Sequence, residues 1–313
     1  MILAVVQAVL ILLGIVLLAA WLTWVERRLL GFWQDRLGPN RVGWEGTLQI
    51  LADMVKIFFK QDWTPPFAEK TLFILAPVIV MATVLLAFAV IPFSPAIGIA
   101  PNLNIGLLFF LGLTSLSVYG VVLAGWASNS KFSLLGGMRA AAQMISYEVF
   151  MGLAVIGVVM LAGSFNLSAI IAAQKHLWFV VPQFFGFVPF LIAGIAEAHR
   201  LPFDLPEGEN ELGAGFHTEY SSMKFGMFFV AEYAGIILIS AMTVVLYFGG
   251  WAGPFLPASL WFALKTGAFI AFFILLRAAL PRPRYDQLMS YGWKLMLPLS
   301  IVNLAVTGAV MLA

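Results

Sequence analysis

Residues Ser222 to Phe248 read SMKFGMFFVAEYAGIILISAMTVVLYF. After Lys224 near its start, Glu232 is the only charged side chain in the stretch. A helix rises about 1.5 Å per residue, so a run of this length crosses roughly 30 Å of hydrocarbon. Lipid cannot hydrogen-bond a free backbone, so a spanning segment is either a helix or part of a closed barrel. Barrels are built of short segments of alternating polarity, and no such alternation is present. The stretch reads as a transmembrane helix carrying one carboxylate near its middle.

Seven further apolar runs flank it, near 2–25, 71–93, 103–126, 140–162, 182–197, 259–280 and 293–312. The run at 182–197 is the shortest and contains Gly186, Pro189 and Gly194. The chain has 313 residues, of which 62% are hydrophobic and 10% charged. Soluble domains carry about 25% charged residues, so this composition cannot cover a water-facing surface. The reading is a single polytopic domain over 1–313: an all-α integral membrane protein of about eight transmembrane helices. A net charge of +2 implies no nucleic-acid surface, and the lack of cysteine excludes disulfides, iron–sulfur clusters and thiolate metal sites in this chain. The first run has no basic segment before it, so it does not read as a signal peptide.

Cations are concentrated in alternate connections. Arg27, Arg28, Arg36, Arg41, Lys56, Lys60 and Lys70 follow the first run, and Lys131 and Arg139 follow the third. Arg200 and Lys224 flank the link after the fifth, and Arg277, Arg282, Arg284 and Lys294 surround the link after the seventh. With eight spans these links share one side. The positive-inside rule makes that side cytoplasmic and places both termini outside. On the same side, residues 44–60 read WEGTLQILADMVKIFFK. Leu48, Leu51, Val55 and Phe58 recur at helical spacing, opposite Gln49, Asp53, Lys56 and Lys60, which predicts an amphipathic helix at the membrane surface or on the protein's own cytoplasmic face.

A carboxylate in hydrocarbon costs at least about 2.5–3.5 kcal/mol, so its presence calls for a partner or a function. Glu148 in the fourth span and Glu232 in the sixth are therefore expected on a proton or ion path, and Lys265 in the seventh is a further candidate or their partner. A buried pair that only fixes helix register is the alternative for each. The cytoplasmic loop 198–221 follows Glu197 and holds Asp204, Glu207, Glu209, Glu211 and Glu219 beside Arg200. Crowded carboxylates raise one another's pKa toward the working pH, as a proton relay requires. Phe203, Leu205, Leu212 and Phe216 argue that this loop is packed rather than simply solvated. The histidines, His176, His199 and His217, lie outside the span interiors, so an interhelical bis-histidine haem is not expected. No metal site and no redox centre are expected in this chain.

ERRLLGFWQDRLGPNRVGWEGTLQILADMVKIFFK, Glu26 to Lys60, resembles the first signature of the family formed by the H subunit of bacterial NADH-quinone oxidoreductase, the counterpart of mitochondrial NADH dehydrogenase subunit one. PFDLPEGENELGAGFHTEYSSMKF, Pro202 to Phe225, resembles the second signature, and SLLGGMRAAAQMISYEVF and LPRPRYDQLMSYGWK match further segments. The resemblance covers essentially the whole chain. It implies eight spans plus a cytoplasmic-side amphipathic helix, and a chamber through which ubiquinone or menaquinone reaches an iron–sulfur cluster in neighbouring subunits. It assigns a proton relay to Glu148, Asp204, Glu207, Glu209, Glu211, Glu219 and Glu232, to which Lys265 is added here. It assigns the chamber to Arg27, Arg28, Arg36, Arg41, Phe58, Glu197, Arg200, Phe203 and Phe216. It implies quinone as substrate, flavin and iron–sulfur clusters only in partner subunits, and a place in the bacterial inner membrane. The expected partners are peripheral quinone-site and iron–sulfur subunits, small membrane subunits, antiporter-like subunits and lipid. The chain would then be part of a proton-translocating oxidoreductase. The competing expectations are the homologous subunit of an energy-converting hydrogenase, a standalone ion transporter, and a purely structural anchor.

Overall fold

The computed structural model describes residues 2–312, except for the side chains of Ile2, Leu3, Glu209 and Asn210. Every regular element among the described residues is helical: α1 (Ile2–Trp33), α2 (Gln49–Phe59), α3 (Lys70–Ala87), α4 (Gly106–Ala127), α5 (Lys131–Ala162), α6 (Leu167–Ala173), α7 (Phe184–Glu197), α8 (Glu209–Leu212), α9 (Ser222–Tyr247), α10 (Ala258–Ala279), α11 (Tyr285–Tyr291) and α12 (Leu297–Leu312), with short 3-10 turns between some of them. Seven helices are long and apolar enough to cross a membrane, α11 and α12 counting as one, and α7 is a shorter apolar helix.

Several helices run beyond their apolar stretches. α1 continues to Trp33, beyond the apolar run and up to the turn in which Asp35 has φ 50°, so Glu26 is still helical and is only 3% exposed. α5 begins at Lys131 and ends on Gly163, whose left-handed φ of 65° closes the last turn. α11 and α12 are joined through a π-turn over Gly292–Met296. Pro298 follows this turn and has no N–H to continue the i→i−4 ladder, and such an interruption is a recognised cause of local π geometry.

α9 is the central helix. Nearly every residue from Ala231 to Tyr247 is buried, against α1, α3, α6, α7 and α10. α3, α4 and α5 pack side by side, and α5 also meets α7 and α12. The outer faces are apolar and exposed: Val5, Val9, Leu13 and Leu17 on α1, and Ile301, Val302, Val306 and Val310 on α12. Apolar surface this extensive does not face water, and with the helix lengths it makes this an integral membrane protein. α2 buries none of its residues and lies against α1 and α9, with Leu51, Val55 and Phe58 outward.

Lipid gives helices no hydrophobic reason to associate, so close backbone approach and interhelical hydrogen bonds must do so. α4 and α5 cross at Gly125 and Gly137: a Cβ on Gly125 would stand 2.6 Å from the Ser133 carbonyl oxygen and 3.2 Å from Gly137 Cα. Elsewhere Asn303 Nδ2 donates to Gln183 Oε1 at 2.7 Å, and Gln183 Nε2 donates to Thr307 Oγ1 at 2.7 Å. These bonds tie the start of α7 to α12. A Cβ on Gly152, also in α5, would meet nothing within 4 Å. Gly125→Ala should therefore lower the unfolding temperature in detergent, by an overpacking cost of roughly 1–3 kcal/mol, while Gly152→Ala leaves it level or higher. Equal effects of the two substitutions would show that the α4–α5 crossing is not close-packed.

Candidate functional site

The loop after α7 turns back into the protein instead of out toward solvent. Arg200, on this loop, is 8% exposed. Its Nε lies 2.6 Å from Glu232 Oε1 on α9, its Nη1 lies 3.5 Å from Glu26 on α1, and the guanidinium covers the Tyr233 ring at 4.2 Å. Glu26 also pairs with Arg277 of α10. Three spans and one loop are thus joined by two guanidiniums and two carboxylates. Removing one partner from such a buried set would strand a charge, at a cost of about 3–5 kcal/mol.

These groups border a cavity of about 270 Å³, walled on the apolar side by residues of α3, α4 and α9 such as Val84, Leu113 and Phe229. Glu197, His199, Asp204, Glu207 and His217 also line it. Asp204 pairs with Arg282 at 2.7 Å. Burial pushes the Asp204 carboxyl upward against the pull of Arg282. Burial also pushes the Glu207 carboxyl well above its ordinary value, and the nearby Glu232 and Asp204 charges add to that shift. Asp204 and Glu207 are close enough to influence each other's protonation. The two histidines go the other way: burial lowers each to about 4, and both are neutral near pH 7.

From the cavity, carboxylates continue along α4. Ser117 Oγ lies 3.5 Å from Glu197 Oε1, while Ser115 Oγ donates to Glu148 Oε1, with Thr114 Oγ1 at 3.4 Å. Glu197 and Glu148 therefore reach hydroxyls on adjacent turns of one helix. A hydroxyl both donates and accepts, and each of these three contacts one of the two acids.

A second cleft, about 370 Å³, lies between α1, α2 and the start of α9. Its polar rim includes Arg27, Asp53, Lys56 and Lys60, and its walls are Ile50, Met54 and Ile57. Phe225 and Phe229 border both spaces, with ring centroids 6.0 Å apart and planes 22° apart.

The structure therefore gathers Glu148, Glu197, Arg200, Asp204, Glu207, Phe216 and Glu232 at or next to the first cavity. Arg27 stands at the second cleft, paired with Asp53 at 2.8 Å. Other expected residues lie elsewhere. Glu211 pairs with Arg139 at 2.5 Å near the surface, and Glu219 is half-buried away from the cavity lining. The side chain of Glu209 lies outside the described residues. Arg28 pairs with Glu45, and Arg36 donates to Gln34. Arg41 and Phe58 are exposed, and Phe203 packs on Tyr147. Lys265 is far from this set in its bonding: its amine donates to the carbonyls of Phe248, Gly250 and Ala252 at 2.7–3.1 Å and faces Trp178. It fastens the end of α9. Sequence reasoning missed Glu26, Tyr233, Arg277 and Arg282 as site residues. The one signal for Glu26 was a carboxylate continuing the helical phase of an apolar run.

Residues 6–308 match the family described as NADH dehydrogenase. Over 301 residues, 96% of this chain and 95% of the relative, the sequence is 67% identical to the H subunit of the NADH-quinone oxidoreductase of Methylococcus capsulatus.

The raised Glu207 pKa has a signed consequence. A carboxyl whose folded value lies above its unfolded one binds more protons folded than unfolded, so stability falls as pH rises from about 4.5 through the folded value. Gln does not titrate. The unfolding temperature of Glu207→Gln should therefore exceed wild type at pH 8, and the gap should close toward pH 4.5. A gap independent of pH would mean that Glu207 ionises in the folded protein as it does in water.

Proposed function

Because the chain belongs to the NADH dehydrogenase family, we propose that it is the membrane subunit of a proton-translocating NADH:quinone oxidoreductase that holds quinone and starts the path of protons away from it. The observation that carries this reading is the cavity in which Arg200, Glu232, Asp204 and Glu207 converge, continued by Glu197 and Glu148 along α4. A quinone has a polar head and an apolar tail. The second cleft offers an apolar wall beside the interfacial helix α2, and the aromatic pair Phe225 and Phe229 leads from there to the polar cavity. Such a sequence of surfaces suits an amphiphile moving from bilayer to protein interior.

Reduction of a quinone to quinol adds two electrons and two protons, and electrons would come from iron–sulfur and flavin centres in partner subunits. The contribution of this chain is electrostatic. A negative charge arriving in the cavity raises the affinity of nearby carboxylates for protons, and its neutralisation releases them. Acids coupled through hydroxyls then re-equilibrate along α4. The same chain of acids would suit the hydrogenase-type or transporter readings, but the 67% identity over nearly the whole chain favours the oxidoreductase. The exposed apolar faces of α1 and α12 would be covered by lipid and by neighbouring membrane subunits. The acidic loop 198–221 would face peripheral subunits on the cytoplasmic side, in the inner membrane of a bacterium.

Two measurements test this. In the assembled complex, Glu148→Gln and Glu207→Gln should lower NADH:quinone turnover and proton uptake into liposomes together, by roughly 10²-fold where the acid relays protons. NADH oxidation by a water-soluble acceptor should persist. Wild-type turnover and pumping in both variants would remove the relay. For orientation, reporters fused after residue 313 and within 200–220 should report opposite sides of the membrane, whereas two cytoplasmic signals would refute an outward C-terminus.

A further inference from the structure

His217 ends the short turn Gly215–His217, and its imidazole is placed unlike that of a surface histidine. The turn reaches this depth because α5 carries glycine opposite it: a Cβ on Gly136 would stand 2.6 Å from the Phe216 nitrogen and 2.7 Å from Gly215. The His217 ring lies flat on Phe225, centroids 5.4 Å apart and planes 20° apart, with Phe216 at 4.9 Å on another side. Phe225 is one of the two rings shared by the inner cavity and the outer cleft. The aromatic contacts fix the plane of the imidazole and leave its two nitrogens in different settings. Nε2 is 3.8 Å from Glu207 Oε1, near it but beyond hydrogen-bond length. Nδ1 is buried with no hydrogen-bond partner in the protein, and the residue lines the cavity.

From this geometry we propose that His217 is a proton-transferring residue between the inner cavity and Glu207, one nitrogen serving each. The inference rests on the reading of Glu207 as part of the proton path. Nδ1 accepts a proton from the cavity as Nε2 releases one to the Glu207 carboxylate, or the reverse. The ring stays neutral overall, and no electrons move. Concerted exchange suits a site where burial disfavours the imidazolium ion. Transfer in the opposite sense restores the first tautomer.

The ionisable groups that line the cavity with His217 come from several elements. The loop supplies His199, Arg200, Asp204 and Glu207, α7 supplies Glu197, α9 supplies Glu232 and α10 supplies Arg277. α4 and α5, against which the turn packs, contribute no ionisable side chain to the cavity lining among the described residues. Glu207 is thus the acid that His217 approaches, and Glu232 and Asp204 are the charges that bias Glu207.

Two substitutions separate proton transfer from packing. His217→Phe keeps an aromatic ring against Phe225 but carries no proton. His217→Gln keeps a polar group near Glu207 but has no exchangeable tautomer. In the assembled complex both should lower NADH:quinone turnover at least about tenfold, within the range of a lost proton-transfer group. Both should also alter the pH dependence of turnover, because Glu207 then lacks its relay partner, and NADH oxidation by a water-soluble acceptor should remain unchanged. Wild-type turnover and pH profile in either variant would overturn the proposal. If His217→Phe is active and only His217→Gln fails, the residue serves packing alone. Glu207→Gln measured beside them separates the two levels of the argument. Loss there with intact His217 variants rejects His217 alone, and an intact Glu207→Gln rejects the underlying relay.

Discussion

Arg200 brings a guanidinium into a part of the molecule that water barely reaches, and much of the surrounding structure exists to hold it there. A buried cation without partners would cost many kcal/mol. Arg200 instead meets Glu232 at 2.6 Å, approaches Glu26 and covers Tyr233. These partners come from α9 and α1, and Arg277 extends the set to α10 through Glu26. The ion cluster therefore fixes where three spans stand relative to one another and where the loop after α7 must enter. Helices in lipid have little else to set their register.

Small residues then determine what else can reach the cluster. Gly136 admits the 215–217 turn against α5, which brings Phe216 and His217 to the cavity wall. Glycines at the α4–α5 crossing keep α4 close enough for Ser115 on one helix to meet Glu148 on the other. Thr114, Ser115 and Ser117 would be ordinary residues in an apolar helix, where hydroxyls usually bond back to the preceding turn, as Ser115 does to Leu111 at 3.0 Å. Here the same hydroxyls also contact two carboxylates. In the proposed relay these hydroxyls come at low intrinsic cost, because a serine satisfies its own helix when no proton is passing.

Much of the fold was legible in the sequence, since apolar run length and isolated charges are one-dimensional signals. Glu232 and Glu148 stood out because each interrupts hydrocarbon-compatible sequence. Glu26 did not: it precedes Arg27 and Arg28 and reads as the solvated end of a span, and only the continuation of α1 to Trp33 buries it. Lys265 was legible as a charge within a span, but its acceptors were not. A lysine in a span suggests a carboxylate partner, but carbonyls freed at the end of α9 satisfy it equally well, and sequence cannot distinguish the two kinds of acceptor. Phe58 was expected at the chamber from its place on an apolar stripe. The stripe is present, but its outer face points away from the protein, where bilayer or another subunit would meet it.

The charge balance of the cluster bears on the proposed proton path. Glu26, Glu197, Asp204, Glu207 and Glu232 gather around Arg200, Arg277 and Arg282. If every acid were ionised, five carboxylates would face three guanidiniums, leaving two negative charges without a cation in a poorly solvated space. Like charges crowded into such a space oppose one another's ionisation. The upward displacement of Asp204 and Glu207 is one expression of that constraint. Arginine cannot give up its proton in exchange, so any change of charge in the cavity has to be met by the carboxylates. A redox step that delivers negative charge to this space would therefore draw protons onto the acids. Removal of that charge would send protons onward along Glu197, the hydroxyls of α4 and Glu148.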